Sequence, residues 1–240
     1  MSNTLYILGS SATRWITNTI DKEYKSIFKW VEGRRLPDES KAVHIVCKNA
    51  LSNVSFTPDR CFGNRVGIVL AGIFGGFASY ERFRAGLNNT GELQPLAFSF
   101  SLPCIPASVL SLYYGITGPV LSLSTTIETS GFSALDTAVN LLQSDMCDHV
   151  IAGTWYFPSD TAIKCTGITQ AMSSIVILSK KIEQKNDSSQ KVANASIKIE
   201  ASKMMHPLYE FLSLKSSFYT KNADSLCIDN DLLMQLMREE

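Results

Sequence analysis

Any chemistry this 240-residue chain performs must come from a small set of side chains. The most conspicuous is Glu128, in the run Thr125-Thr126-Ile127-Glu128-Thr129-Ser130-Gly131. Ahead of it, Val120, Leu121, Leu123, Thr125 and Ile127 alternate as in a strand. After it, Phe132, Leu135, Ala138, Val139 and Leu142 recur at helical spacing, and His149-Val150-Ile151-Ala152-Gly153 reads as a further strand. Strand, tight turn, helix and strand make a βαβ unit that displays Glu128 at its turn. An ionised carboxylate only accepts hydrogen bonds and is a weak nucleophile. The start of a helix stabilises such a charge by typically ~0.3–1 kcal/mol, which is a sufficient structural reason for the residue.

The other reactive residue types carry less. His44 and His149 lie in or beside apolar runs, as core or strand-edge histidines do, and His206 precedes Pro207 in a loop-like stretch. The six cysteines, Cys47, Cys61, Cys104, Cys147, Cys165 and Cys227, include no CxxC pair. That spacing fits neither a zinc site nor a disulfide scaffold, so free, mostly buried thiols and no metal are expected. The glycines of Gly72-Ile73-Phe74-Gly75-Gly76-Phe77 permit a tight strand-to-helix turn. With neither Gly-Lys-Ser/Thr nor GxGxxG, they do not form a phosphate loop.

These residues need a framework to hold them. In the whole chain, 22 basic and 22 acidic side chains leave no charge excess for nucleic acid or an anionic membrane. A 45% hydrophobic content supports one layered α/β domain. No run of ~18 apolar residues and no leader pattern is present, so a soluble, cytoplasmic protein is expected. Residues 5–9 and 65–71 read as strands, and residues 21–31 as a surface helix with Tyr24, Ile27, Phe28 and Val31 on one face. Trp15 and Trp30 are expected to pack in the core or an interface. Residues 36–60 read as a connection with a short strand or helix near Val43 to Cys47, and residues 79–87 as a helix broken at Asn88 to Gly91. Pro103 and Pro106 place the next helix start near Ala107, leaving Phe98, Phe100 and Leu102 on one face of an extended segment. Residues 154–170 read as a loop, 175–178 and 193–200 as strands, and 229–240 as a last helix.

Residues 115–153, opening on Gly115-Ile116-Thr117-Gly118-Pro119, resemble the nucleophile region of β-ketoacyl synthases. That family's motif is Gly-Pro, an apolar strand, Ser-Thr-Ala-Cys-Ala-Ser-Gly, a helix, and a strand ending in Ala-Gly-Gly. In this chain Glu128 takes the place of the catalytic cysteine, so thiolate chemistry is lost there. Arg65-Val66-Gly67 leading into the glycine turn resembles the family too, and Phe74 falls on the residue that gates the acyl pocket. Phe74 reads equally as a gate that narrows the cavity or as an ordinary packed aromatic. Residues 95–114 resemble the stretch that runs along the dimer interface and helps line the substrate channel. None of the three histidines sits in a motif of the His-Gly-Thr or Asn-x-x-Phe-Gly type.

The resemblance covers residues 1–200, with residues 201–240 a tail packing on the domain or a partner. It implies a thiolase-like α/β fold, the N-terminal half of a ketosynthase with the C-terminal half missing. Ser133, Asp136, Asn140 and Gln143 give the helix after Glu128 a polar stripe, expected to face water or a polar partner. Among ketosynthase relatives the chain most resembles short chain-length factors of aryl polyene pathways. This implies no catalysis by the chain itself, no cofactor, and an obligate heterodimer with an active β-ketoacyl synthase. The pair would work on an acyl carrier protein, with Phe74, Phe98, Phe100 and Leu102 as tunnel and gate candidates. Two alternatives stand beside it. One is a malonyl-thioester decarboxylase, as in ketosynthase-like proteins with glutamine at the cysteine position; the other is a thiolase-fold scaffold or acyl-binding protein.

Overall fold

Residues 66–73, 149–156 and 171–179 are buried almost without interruption, which strands achieve only when both faces of their sheet are covered. The computed structural model describes residues 5–15, 19–52, 54, 63–91, 94–127, 129–180 and 226–228. Its elements are β1 (Leu5–Trp15), α1 (Ile20–Ile27), α2 (Asp38–Ser52), β2 (Val66–Ile73), α3 (Phe77–Thr90), α4 (Pro95–Phe100) and α5 (Ile105–Tyr114). There follow β3 (Val120–Thr125), α6 (Ser130–Gln143), β4 (His149–Tyr156), α7 (Asp160–Thr166), β5 (Ala171–Ser179) and β6 (Leu226–Ile228). One mixed sheet runs β3-β2-β4-β5-β1-β6. β2 is parallel to β3 and to β4; β5 is antiparallel to β4 and to β1.

The period of two along the strands divides the core into two layers. Val66, Ile68 and Leu70 of β2, with Ile151, Ile175 and Ile177, face α2 and α5. Val69 and Ala71, with Val150, Ala152, Val176 and Leu178, face α6. On α6 the stripe largely points outward: Asn140 and Gln143 are exposed and Ser133 and Asp136 half-buried, while Ala134, Ala138, Val139, Leu141 and Leu142 are buried. Phe132, placed by its spacing on the apolar face, instead points outward and is 39% exposed.

Packing revises several expectations from the sequence. The short strand or helix expected near Val43 to Cys47 is a helix, but one of fifteen residues, α2, buried from Glu39 through Cys47 and again at Ala50 and Leu51. Packed between the sheet, α1 and α5, it is enclosed nearly all round and so shows no apolar stripe. Helix α1 stops at Ile27, where Phe28 turns extended and stacks on Tyr24 at 4.5 Å and on His44 at 3.9 Å between ring centroids; Val31 is solvent-facing. Residues 95–100 are helical rather than extended, because Pro95 sits in the first turn, where a missing N–H is harmless. Pro106 does the same for α5, which starts at Ile105. The loop expected over 154–170 is the end of β4 followed by α7, which is capped by Ser159 Oγ accepting from the Ala162 N–H. The strand and helix expected over 193–200 and 229–240, and His206, lie outside the described residues; β6 pairs with β1.

Trp15 is buried and donates to Glu23 at 2.7 Å, and Trp30 packs half-buried against Tyr113. Cys47 and Cys147 are buried as expected, whereas Cys104 and Cys165 are exposed; all four are free. Cys61 and the Cys227 side chain lie outside the described residues.

Candidate functional site

Parallel strands end together on one side of a sheet, and the crevice beyond their carboxyl ends is where α/β proteins hold ligands. Here β2 and β3 end at Ile73 and Thr125, which are register partners. Beyond them opens a cleft of about 900 Å³. One wall is the turn Phe74-Gly75-Gly76 with Phe77 and Tyr80 of α3. Ser101 and Pro103 from the α4–α5 connection and Cys165 and Thr166 from α7 form others. The floor is Ser124 to Ile127, with Thr129 and Ser133 at the start of α6.

The turn is tightly specified. Phe74 and Gly75 both have positive φ, 61° and 52°. For glycine this is free; for phenylalanine it costs about 1–3 kcal/mol. A Cβ on Gly76 would come within 2.5 Å of the Ser101 carbonyl oxygen, so the connection after α4 is seated directly on the turn. Phe74, 36% exposed, lines the cleft.

Glu128 itself lies outside the described residues. Its neighbours Ile127 and Thr129 both line the cleft. They are held by a Thr126–Thr129 hydroxyl contact of 3.1 Å and by Ser130 Oγ donating to the Ile127 carbonyl at 3.2 Å. Ile127 packs on Ile73, Tyr156, Ala162 and Met172. Thr125 Oγ1 is buried with no hydrogen-bond partner among the described residues.

Phe98, Phe100 and Leu102 do not line this cleft. Phe98 and Leu102 are 55% and 46% exposed and Phe100 is half-buried, so they do not form core either. Phe98 leans on Phe83 of α3 at 5.4 Å. With Leu96, and with Val120 and Leu121 on β3, they add exposed apolar surface. β3 is an edge strand, and among the described residues nothing pairs with its outer side.

The described lining is apolar or hydroxyl-bearing apart from the Cys165 thiol, without a carboxylate or a cation. Neither His44 nor His149 reaches it. His44 is wholly buried in α2, its Nδ1 3.0 Å from the Tyr24 hydroxyl. Burial, aided by the charge of Lys48, pushes its pKa down to about 3, so it is neutral near pH 7. Among the described residues no three His, Cys, Asp or Glu side chains cluster to hold a metal, and no helix is long and apolar enough to cross a membrane. Cys165 and Thr166 escape sequence reasoning, which has no helix to place them on. Ser159, three residues ahead of Ala162 as a cap would be, is the available signal.

A thiolase-like sheet with a strand–turn–helix cleft at its carboxyl edge defines the class. The chain belongs to the β-ketoacyl synthase family: its residues 12–190 match the β-ketoacyl synthase N-terminal domain. No curated relative matches the sequence. Among solved structures, one described as a type II polyketide acyl carrier protein in complex with its ketosynthase is similar at TM-score 0.60 and 16% identity, over 75% of this chain and 63% of that one. The ishigamide ketosynthase/chain length factor matches at TM-score 0.55 and 12% identity, over 74% and 62%. A Xenorhabdus doucetiae ketosynthase in complex with its chain length factor matches at TM-score 0.56 and 13% identity, over 74% and 79%. The chain thus spans a little over three-fifths of the length of the first two.

Proposed function

We propose that this chain is a non-catalytic, chain-length-factor-like subunit. It pairs with an active β-ketoacyl synthase and shapes the tunnel for a growing polyene thioester carried on an acyl carrier protein. The observation that carries this reading is Glu128, which stands where the family's motif has its nucleophilic cysteine. A carboxylate does not attack a thioester usefully, and the cleft lined by the neighbouring Ile127 and Thr129, mostly apolar and hydroxyl-bearing, suits containment of an acyl chain rather than proton transfer. Pairing is supported by the exposed apolar surface of Leu96, Phe98 and Leu102 and by the outer edge of β3, which nothing pairs among the described residues. An uncovered edge strand with apolar side chains is a liability unless something covers it. Permanent interfaces of this kind bury more than about 2,000 Å².

The test is co-expression with the candidate ketosynthase, followed by size-exclusion chromatography and product analysis. Co-elution in equal amounts, with elongation that needs both chains, is expected. A stable monomer at micromolar concentration beside a ketosynthase that works unaided would overturn the reading.

A further inference from the structure

Helix α7 has only seven residues, yet it supplies Cys165 and Thr166 to the cleft wall. So short a helix has little stability of its own and stays where its neighbours hold it. Its C-terminal end is fixed by Tyr156, whose hydroxyl lies 3.1 Å from Thr166 Oγ1 and donates to the Ile168 carbonyl at 2.8 Å. Its N-terminal end is fixed from another element. The Glu81 carboxylate of α3 accepts from the Asp160 N–H at 2.9 Å and from the Thr161 N–H at 3.0 Å, one on each oxygen.

That contact crosses the cleft's frame. Phe77 and Tyr80, on the same helix as Glu81, line another wall of the cleft. One carboxylate gripping two backbone amides thus ties the α3 wall of the cleft to the α7 wall. We infer that Glu81 is a positioning residue that clamps α7 against α3 and so fixes the wall that limits the length of the bound acyl chain. The clamp needs only the geometry; its bearing on acyl length rests on the function proposed above. The carboxylate form is the one favoured. Burial acts to raise the Glu81 pKa, but hydrogen bonds from Thr161, Asp160 and Ser159 outweigh it and hold the pKa below the ordinary value. The Glu81→Gln change would keep one acceptor oxygen and turn an NH₂ group toward the second amide. The Glu81→Ala change would leave both amides to water.

The backbone amides that Glu81 holds report on the clamp directly. Glu81→Ala should speed amide hydrogen exchange over the peptide covering Asp160 to Thr166, read by mass spectrometry, by about tenfold, since a protected segment exchanges in proportion to its locally open population. Glu81→Gln should fall between wild type and Glu81→Ala. With the partner ketosynthase, the same series should broaden the product-length distribution in the same rank order while the complex still elutes intact. An unchanged exchange rate overturns the clamp, whatever the chain's function. Faster exchange with an unchanged product distribution overturns the role in length control. If wild-type chain and partner together elongate nothing, it is the proposed function that fails, and the exchange series still decides the clamp.

Discussion

Phe74 occupies a backbone conformation that phenylalanine dislikes, and this makes its two roles separable. Its ring is 36% exposed, so roughly two-thirds of the burial is available to be lost. Truncating a fully buried Phe costs about 3–5 kcal/mol, which scales here to about 2–3 kcal/mol for Phe74→Ala. The strain at φ 61° is untouched by that change, because alanine shares the Cβ penalty. Phe74→Gly removes both ring and strain, and should be more stable than Phe74→Ala by about 1–2 kcal/mol. Urea denaturation of the three proteins measures these differences. Both truncations also remove the same ring from the cleft wall, so both should lengthen the products of the reconstituted pair, and by the same amount. Products unchanged by either variant, with only the stability loss, would make Phe74 an ordinary packed aromatic. A Gly variant less stable than the Ala variant would refute the strain argument.

Three further expectations follow from the described surfaces and buried groups. Phe98→Asp with Leu102→Asp, on side chains already more than two-fifths exposed, should change the stability of the isolated chain by less than about 1 kcal/mol yet abolish co-elution with the ketosynthase; retained co-elution would place the interface elsewhere. His44 has its pKa lowered from the ordinary 6.5 to about 3, so the folded state binds fewer protons than the unfolded one between those values. The stability it contributes is full above about pH 6.5 and is lost as pH falls toward 3, on the order of 5 kcal/mol in all; His44→Phe should flatten that acid limb in urea titrations at pH 4 and 7. Gly76→Ala, forcing a Cβ to within 2.5 Å of the Ser101 carbonyl, should destabilise the domain by about 2 kcal/mol or more and be detected as a lower melting temperature.

Strands β2, β3, β4 and β5 and helix α6 are legible in the sequence because their periodicities have simple causes. The βαβ order around residue 128 carries the fold, and the glycines after Ile73 mark the turn that shapes the cleft. Helix α2 is legible only as a short strand or helix near Val43 to Cys47, since a helix enclosed on nearly all sides writes no stripe into its sequence. Nor is α4: Pro95 in its first turn looks the same in sequence as a proline that prevents a helix. Phe98, Phe100 and Leu102 alternate as strand residues do, yet a helical turn and the connection after it place Phe98 and Leu102 outward. The contributions of Cys165, Thr166 and Glu81 depend on contacts between segments some eighty residues apart, such as the Glu81 oxygens on the amides of Asp160 and Thr161, and no local pattern records them.

At the centre of the proposed function stands a residue 128 that takes no part in bond making. Single-turnover and steady-state elongation by the purified heterodimer, with Glu128→Gln in place of wild type, tests this most directly. Gln keeps the size of the side chain and removes its charge, so condensation by the partner ketosynthase should proceed within about twofold of wild type; an interaction made only in the transition state, if lost, would lower kcat and kcat/KM together. Abolished turnover by a heterodimer that still elutes intact would contradict the non-catalytic role.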